Sequence, residues 1–243
     1  MGRQIWGAVV VIALSAGPAL AQGRPSLTDR QIQSQIEQRL DKKDIARVAV
    51  GVTEGTVSLS GTVPNAWARK TAVEQALKVK DVVGVANSLS IVRSENDEML
   101  ANKVASKVRR YVSYGIFDDV NIGVDQGVVT LSGRVTMPYK ADDLAEIVAR
   151  VDGVQEVRNE LGTLPVSISD DRLRYSLSRQ IYRNPLFSNY AFQAYPPIHI
   201  VVENGQVTLA GAVGSEVERV QAEMIARTTF GVFGVQNRLR VDR

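Results

Sequence analysis

Cysteine is absent from the 243 residues, and histidine occurs once, as His199. The first absence excludes disulfides, thiol catalysis and cysteine-based zinc sites. Whatever folds must be held by packed cores. One imidazole is a poor start for a metal centre, and no loop has the carboxylate pattern of a calcium site. There is no G-x-x-x-x-G-K-[ST] phosphate loop and no G-x-S-x-G elbow. His199 lies in the strand-like run PPIHIVV, without the positioned nucleophile and carboxylate a hydrolytic triad needs. The expectation is a protein that is not an enzyme, with no catalytic residues, no cofactor and no metal. Charge of one sign is also scarce. Lys and Arg number 29 against 26 Asp and Glu, for a net charge of +3. The excess is not clustered, so it does not argue for nucleic acid, and it permits loose attraction to an anionic surface.

Long apolar runs are missing after the N-terminus, so no later segment is expected to cross a membrane. At the N-terminus, Arg3 precedes an apolar run from Ile5 to Leu14, followed by SAGPALAQ. Ala19 and Ala21 stand in the small-x-small arrangement of a cleavage site. Residues 1–21 therefore read as a secretory signal peptide, cut after about Ala21. An uncleaved anchor or buried helix is the competing reading, although the run is short for a bilayer span. The mature chain is expected in the periplasm.

What the chain does contain is one phrase three times: GTVSLSG at 55–61, GVVTLSG at 127–133 and GQVTLAG at 205–211. A phosphate loop, a turn or a structural repeat would each place glycines so. The anchors Gly61, Gly133 and Gly211 are 72 and 78 residues apart, and an Asn follows each by 26: Asn87, Asn159 and Asn237. That regularity indicates an internal repeat. Ile32, Ile36 and Leu40 are matched, at the same offset of 72, to Val104, Val108 and Val112. Leu173, Leu177 and Ile181 form the third helical series. Thr28, Asn96 or Asp97, and Ser169 or Asp170 are the candidate caps.

Each unit then reads helix, strand, turn, strand, helix, strand. The first strands are RVAVGV, DVNIGV and IHIVV. The turns are Glu54-Gly55, Gln126-Gly127 and Asn204-Gly205, of which Asn-Gly is the strongest hairpin signal. In the second strand, alternation places Val57, Leu59, Gly61 and Val63 on the buried face and Ser58, Ser60 and Thr62 outside. The inward Gly61 implies close approach by other backbone, expected to be a helix. The second helices are read at 65–80, 138–151 and 215–229, with Ala72, Val73, Ala76 and Leu77 facing inward in repeat 1. Leu144, Ala145, Val148 and Val151 do so in repeat 2. The fold class is α+β: three tandem α-β-β-α-β domains at 26–93, 96–164 and 168–243, each a small mixed three-stranded sheet covered by two helices. Linkers containing proline and serine leave both compact and beaded arrangements open.

The run G-x-V-x-L-x-G, a helix, then G-V-x-x-V-x-N-x-L resembles the BON domain, a family named for bacterial osmotically induced periplasmic proteins and nodulation proteins. The resemblance covers nearly all of the mature chain. One departure is Asp81, where the other repeats have Gly153 and Gly231. The resemblance implies an envelope protein that binds phospholipid surfaces or supports the envelope under stress, and it carries over no catalytic residues.

The recurring Gly55, Gly61, Asn87, Gly127, Gly133, Asn159, Gly205, Gly211 and Asn237 are read as structural, the asparagines as fixed hydrogen-bonding groups. Repeat 3 departs most. Its segment NPLFSNYAFQAYPPIHI carries Phe187, Tyr190, Phe192 and Tyr195; Phe230 and Phe233 lie at the next helix–strand junction. Arg172, Arg174, Arg179 and Arg183 are on the preceding helix. Aromatics beside arginines suit a membrane interface; otherwise the rings fill a larger core or pack on a neighbouring repeat. Arg179, Arg183, Phe187, Tyr190, Phe192, Tyr195, Phe230 and Phe233 are thus the lipid- or partner-binding candidates. The expected partner is an anionic phospholipid surface or, alternatively, an envelope protein on which the repeats dock.

Overall fold

The computed structural model describes residues 27–45, 47–93 and 95–242. The signal-peptide reading falls on residues outside that set. The described residues form two compact units, one of those up to 104 with 124–129 and 146–158, the other of 105–123, 130–145 and those from 159 on.

Repeat 1, in the first unit, runs α1 (Asp29–Asp41), β1 (Val48–Thr53), β2 (Thr56–Val63), α2 (Ala66–Leu77) and β3 (Gly84–Ile91). Thr28 starts α1 with a capping box closed by Gln31, which satisfies orphan N–H groups of the first turn. Ile32, Ile36 and Leu40 face the core. The β1–β2 hairpin is antiparallel, with Val48 opposite Gly61, and β3 lies parallel to β2, with Thr56 opposite Gly84. Glu54 and Gly55 turn the hairpin with φ of 50° and 74°, the left-handed pair that matches the twist of the strands. Val57, Leu59 and Val63 are buried while Ser58, Ser60 and Thr62 are exposed. Helix α2 lays Ala68, Ala72 and Ala76 on the core. Small side chains at that spacing let the helix sit close to the sheet.

Repeat 2 contributes α3 (Asp97–Arg109), β4 (Asp119–Asp125), β5 (Val128–Val135), α4 (Pro138–Ala149) and β6 (Glu156–Thr163), with sheet order β4-β5-β6. Repeat 3, in the second unit, contributes α5 (Ile168–Tyr182), a 3-10 turn (Pro185–Phe187), α6 (Ser188–Ala191), β7 (Ile198–Glu203), β8 (Gln206–Val213), α7 (Glu216–Thr228), β9 (Gly234–Asn237) and β10 (Arg240–Val241). Strand β8 pairs antiparallel with β7 and parallel with both β9 and β10. The last strand of this repeat is thus interrupted after Asn237. Three tandem α+β domains are what the repeat pattern predicts.

Four local expectations are corrected. The offset of 72 does not reach the first helix of repeat 2: α3 buries Leu100, Val104 and Val108, while Val112 is 94% exposed beyond its end. The true offset there is 68, because the loop between helix and strand is four residues longer. Four residues is about one helical turn, so the wrong register also gave an apolar stripe. Leu77 is exposed, and Thr71 and Gln75 are buried with the alanines instead. Helix α5 is capped by Ser167, whose side chain accepts from the Asp170 N–H, rather than by Ser169 or Asp170. Finally, the backbone that crowds Gly61, Gly133 and Gly211 is not a helix. These residues have φ of 118°, 118° and 105°, and a Cβ on each would lie 2.4, 2.2 and 1.9 Å from the carbonyl oxygens of Arg47, Asp119 and Pro197. Those carbonyls stand at the entrance to the neighbouring first strand.

Candidate functional site

The recurring polar groups serve the fold. Asn159 Nδ2 donates to the Ala141 carbonyl in α4 at 2.9 Å, and Asn237 Nδ2 to the Arg219 carbonyl in α7 at 2.9 Å. The Oδ1 of Asn87, Asn159 and Asn237 accepts from the amide two residues on, at Leu89, Leu161 and Leu239. The last strand is thereby tied to itself and, in repeats 2 and 3, to the second helix. A second recurring group escaped the sequence reading. Asp29, Asp97 and Asp170 each accept both N–H groups of their own hairpin turn, at 2.8 to 3.0 Å. Each carboxylate therefore locks its first helix to the tip of its sheet.

The aromatic candidates do not form one cluster. Phe187 is fully buried in the core of repeat 3, which removes it from any surface. Tyr190 is half-buried, donates to Glu218 at 2.6 Å and accepts from the Gly214 N–H. Burial raises its pKa, and the Glu218 hydrogen bond adds to that. Phe192 is 89% and Tyr195 53% exposed, on the segment leading into β7. Phe230 is 99% and Phe233 79% exposed, and Phe233 lies against the Gly205 turn. Gly205 precedes β8 and Gly214 follows it, so the two exposed pairs sit at opposite ends of that strand. At about 3.3 Å per residue they are roughly 25 Å apart. The arginines divide as well. Arg179 and Arg183 are exposed, whereas Arg174 is buried, donating to the Val202 carbonyl and pairing with Asp171. Its guanidinium secures β7 to α5 and is not available to a ligand.

His199 is half-buried, its ring 5.3 Å from that of Tyr114 and tilted against it by 34°, with Nδ1 2.6 Å from the Asp118 carbonyl. A carbonyl only accepts, so Nδ1 carries the proton. Burial lowers the His199 pKa, against the pull of that carbonyl and of Asp119. Asp118 is itself buried and accepts from the Gly115 and Thr136 amides and from Lys140 at 2.7 Å. These contacts position loops of the second unit. In the same unit a polar groove is crossed by the ion pairs Arg134–Glu203 and Arg238–Asp119, at 3.2 and 3.3 Å. Among the described residues no group of three or more His, Asp or Glu is placed to hold a metal ion.

Residues 28–93, 96–165 and 169–243 each match the BON domain. The chain belongs to the BON-domain family. It is 28% identical over 131 residues to osmotically-inducible protein Y of Escherichia coli (strain K12), an alignment covering 50% of this chain and 61% of that protein. The chain thus spans about three fifths of the length of this curated relative. Among solved structures, the C-terminal domain of CdsD, a structural protein of the type III secretion system of Chlamydia trachomatis, is 13% identical, with a TM-score of 0.26. That match covers 89% of this chain and 100% of that one. The PrgH periplasmic domain is also 13% identical, with a TM-score of 0.24, covering 84% and 100%.

Three BON repeats in one chain provide an internal comparison. Counted from Gly61, Gly133 and Gly211, the second helices begin at the same position. The outward positions of that helix are Trp67, Lys70 and Glu74 in repeat 1 and Tyr139, Asp142 and Glu146 in repeat 2. In repeat 3 they are Val217, Val220 and Met224, exposed by 68, 46 and 53%. The second helix of the third BON domain alone carries an apolar outer stripe, which the sequence reading passed over. No helix among the described residues is long and apolar enough to cross a membrane.

Proposed function

We propose that this is an exported, non-catalytic BON-domain protein of the periplasm. It supports the cell envelope under osmotic stress by docking on anionic phospholipid surfaces through its third repeat. The export reading rests on the N-terminal segment, and the stress reading on the likeness to osmotically-inducible protein Y. The observation that carries the lipid reading is at the β7-entry end of repeat 3. Phe192 and Tyr195 stand exposed on a segment absent from the other repeats, which follows the exposed Arg179 and Arg183 at the end of α5. Neither arginine has an ion pair among the described residues. Aromatic rings settle at headgroup depth and cations meet the anionic surface.

Flotation with phosphatidylglycerol vesicles at low salt tests the proposal. Each cation near an anionic surface contributes about 1 kcal/mol. Replacing Arg179 and Arg183 by Gln should then weaken binding about thirtyfold, and Phe192→Ala with Tyr195→Ala should weaken it further. Phosphatidylcholine vesicles should bind poorly. Absence of flotation with phosphatidylglycerol at low salt would reject the reading. The alternative, docking on a protein, gains from the Phe230 end of the same repeat, whose chemistry differs.

A further inference from the structure

The first unit contains a joint between repeats. The Pro64 carbonyl accepts from the Gly153 N–H at 2.9 Å. Asn65 Nδ2 donates to the Arg150 carbonyl and to Asp152, at 3.1 and 2.9 Å. The Arg150 guanidinium lies 4.0 Å over the Trp67 ring. The start of the second helix in one BON repeat therefore grips the loop between second helix and last strand in the next.

Repeat 3 has the same loop, built the same way. Gly231 and Gly153 share φ of 91°, and each lies against the leucine at the start of its own first helix, Leu173 and Leu100. Phe233 N–H donates to the Gly205 carbonyl as Gln155 N–H does to Gly127, both at 2.9 Å. Yet nothing grips it: no hydrogen bond among the described residues uses the Gly231 N–H, and Phe230 is 99% exposed. Phe230 occupies the position of Asp152. A matching edge also goes unused. In repeat 2, Met137 and Tyr139 occupy the positions of Asn65 and Trp67, and they are 49 and 52% exposed.

The change is concerted. The polar contact of Asn65 with Asp152 has its counterpart in Met137 and Phe230, apolar on apolar. Edge and loop both lie in the second unit and both are exposed there, so they do not meet within one chain. We propose that the loop of repeat 3 around Phe230 docks a second copy of this chain, which presents Met137 and Tyr139 at the start of its α4. The contact joins unlike surfaces. Reciprocal pairing closes a dimer, and non-reciprocal pairing continues into a chain of molecules.

The test is sedimentation of the purified full chain between about 1 and 200 µM, a range that reveals dissociation constants in the micromolar decade. Concentration-dependent association is expected. Phe230→Asp and Tyr139→Glu should each raise the dissociation constant at least about tenfold, the loss typical of a central contact residue. Both side chains are exposed, and unchanged circular dichroism would confirm that the variants fold. Mixing Phe230→Lys with Tyr139→Glu should restore association in the mixture alone. A wild type that stays monomeric throughout, or association indifferent to both variants, overturns the proposal. So does a monomer whose vesicle flotation is abolished by Phe230→Asp, which would assign the loop to lipid. Flotation driven by Arg179 and Arg183 is read separately, so its failure leaves the sedimentation result standing.

Discussion

Asp170→Ala isolates the clamp between first helix and hairpin. Asp170 is 2% exposed, and its two carboxylate oxygens accept from Asn204 and Gly205 at 2.8 and 2.9 Å. Gly205 is buried while Asn204 is exposed, so the two donors fare differently when the acceptor is removed. Water reaches the Asn204 N–H and recovers most of its bond. The Gly205 N–H loses a charge-assisted partner worth about 1.5–3 kcal/mol. Together with the partial loss at Asn204, the expected cost is about 3 kcal/mol. If repeat 3 unfolds as a unit of domain size, that lowers its midpoint by roughly 12–24 °C. Asp170→Asn should fall between, because its amide keeps one acceptor but turns a donor toward the other N–H. The described tryptophan, Trp67, is in repeat 1, so tryptophan emission would miss the event. Urea unfolding followed by far-ultraviolet circular dichroism detects it, with the change assigned to the transition that moves. A cost under about 1 kcal/mol for Asp170→Ala would show that the turn holds itself and that the carboxylate is incidental.

Gly211→Ala should prevent stable folding of repeat 3, since a Cβ there lies 1.9 Å from the Pro197 carbonyl at a φ of 105°. A variant whose melting curve overlays the wild type would refute that geometry. His199 sets an acid limit. Burial lowers its folded pKa, so the unfolded chain binds the proton more readily. Stability is fully present above the unfolded value of about 6.5 and is lost as pH falls through it toward the folded value. Melting temperatures at pH 7.5 and 5 should diverge more for the wild type than for His199→Gln; equal slopes would remove histidine from the account.

The second strand was legible because its side-chain period is two and one face is buried: Val57, Leu59 and Val63 follow from alternation alone. The turns were legible because few residue pairs accept two positive φ angles. The clamp was not. Asp29, Asp97 and Asp170 precede their turn glycines by 26, 30 and 35 residues, since loops of different length intervene, and a fixed-spacing search discards such a set. A tighter signal lay nearby, because each Asp stands three residues before the first core-facing apolar residue of its helix: Ile32 and Leu100, which are buried, and Leu173, which is partly buried against the core. The helical register was missed for the opposite reason, as an amphipathic helix nearly superimposes on itself after four residues. Phe187 misled because an aromatic in an inserted segment looks alike whether it faces in or out. Only the packing of that segment against Leu177 and Ile181 decides it.

What the three repeats share is what the fold requires: an aspartate on the turn, a side-chain-free residue beneath a carbonyl, an asparagine on the last strand. None of these is free to encode a partner, because changing it damages the domain. Partner choice must reside in positions that folding leaves open, and the outer face of the second helix with the loop after it is such a set. Trp67 and Asp152 in that set already hold or flank the joint within the first unit. At the corresponding places repeat 3 has Val217 and Phe230, exposed by 68 and 99%. Apolar groups exposed to water gain nothing for the isolated domain. In the docking proposed above, the same positions that join repeats inside the chain serve in repeat 3 to join it to a second copy.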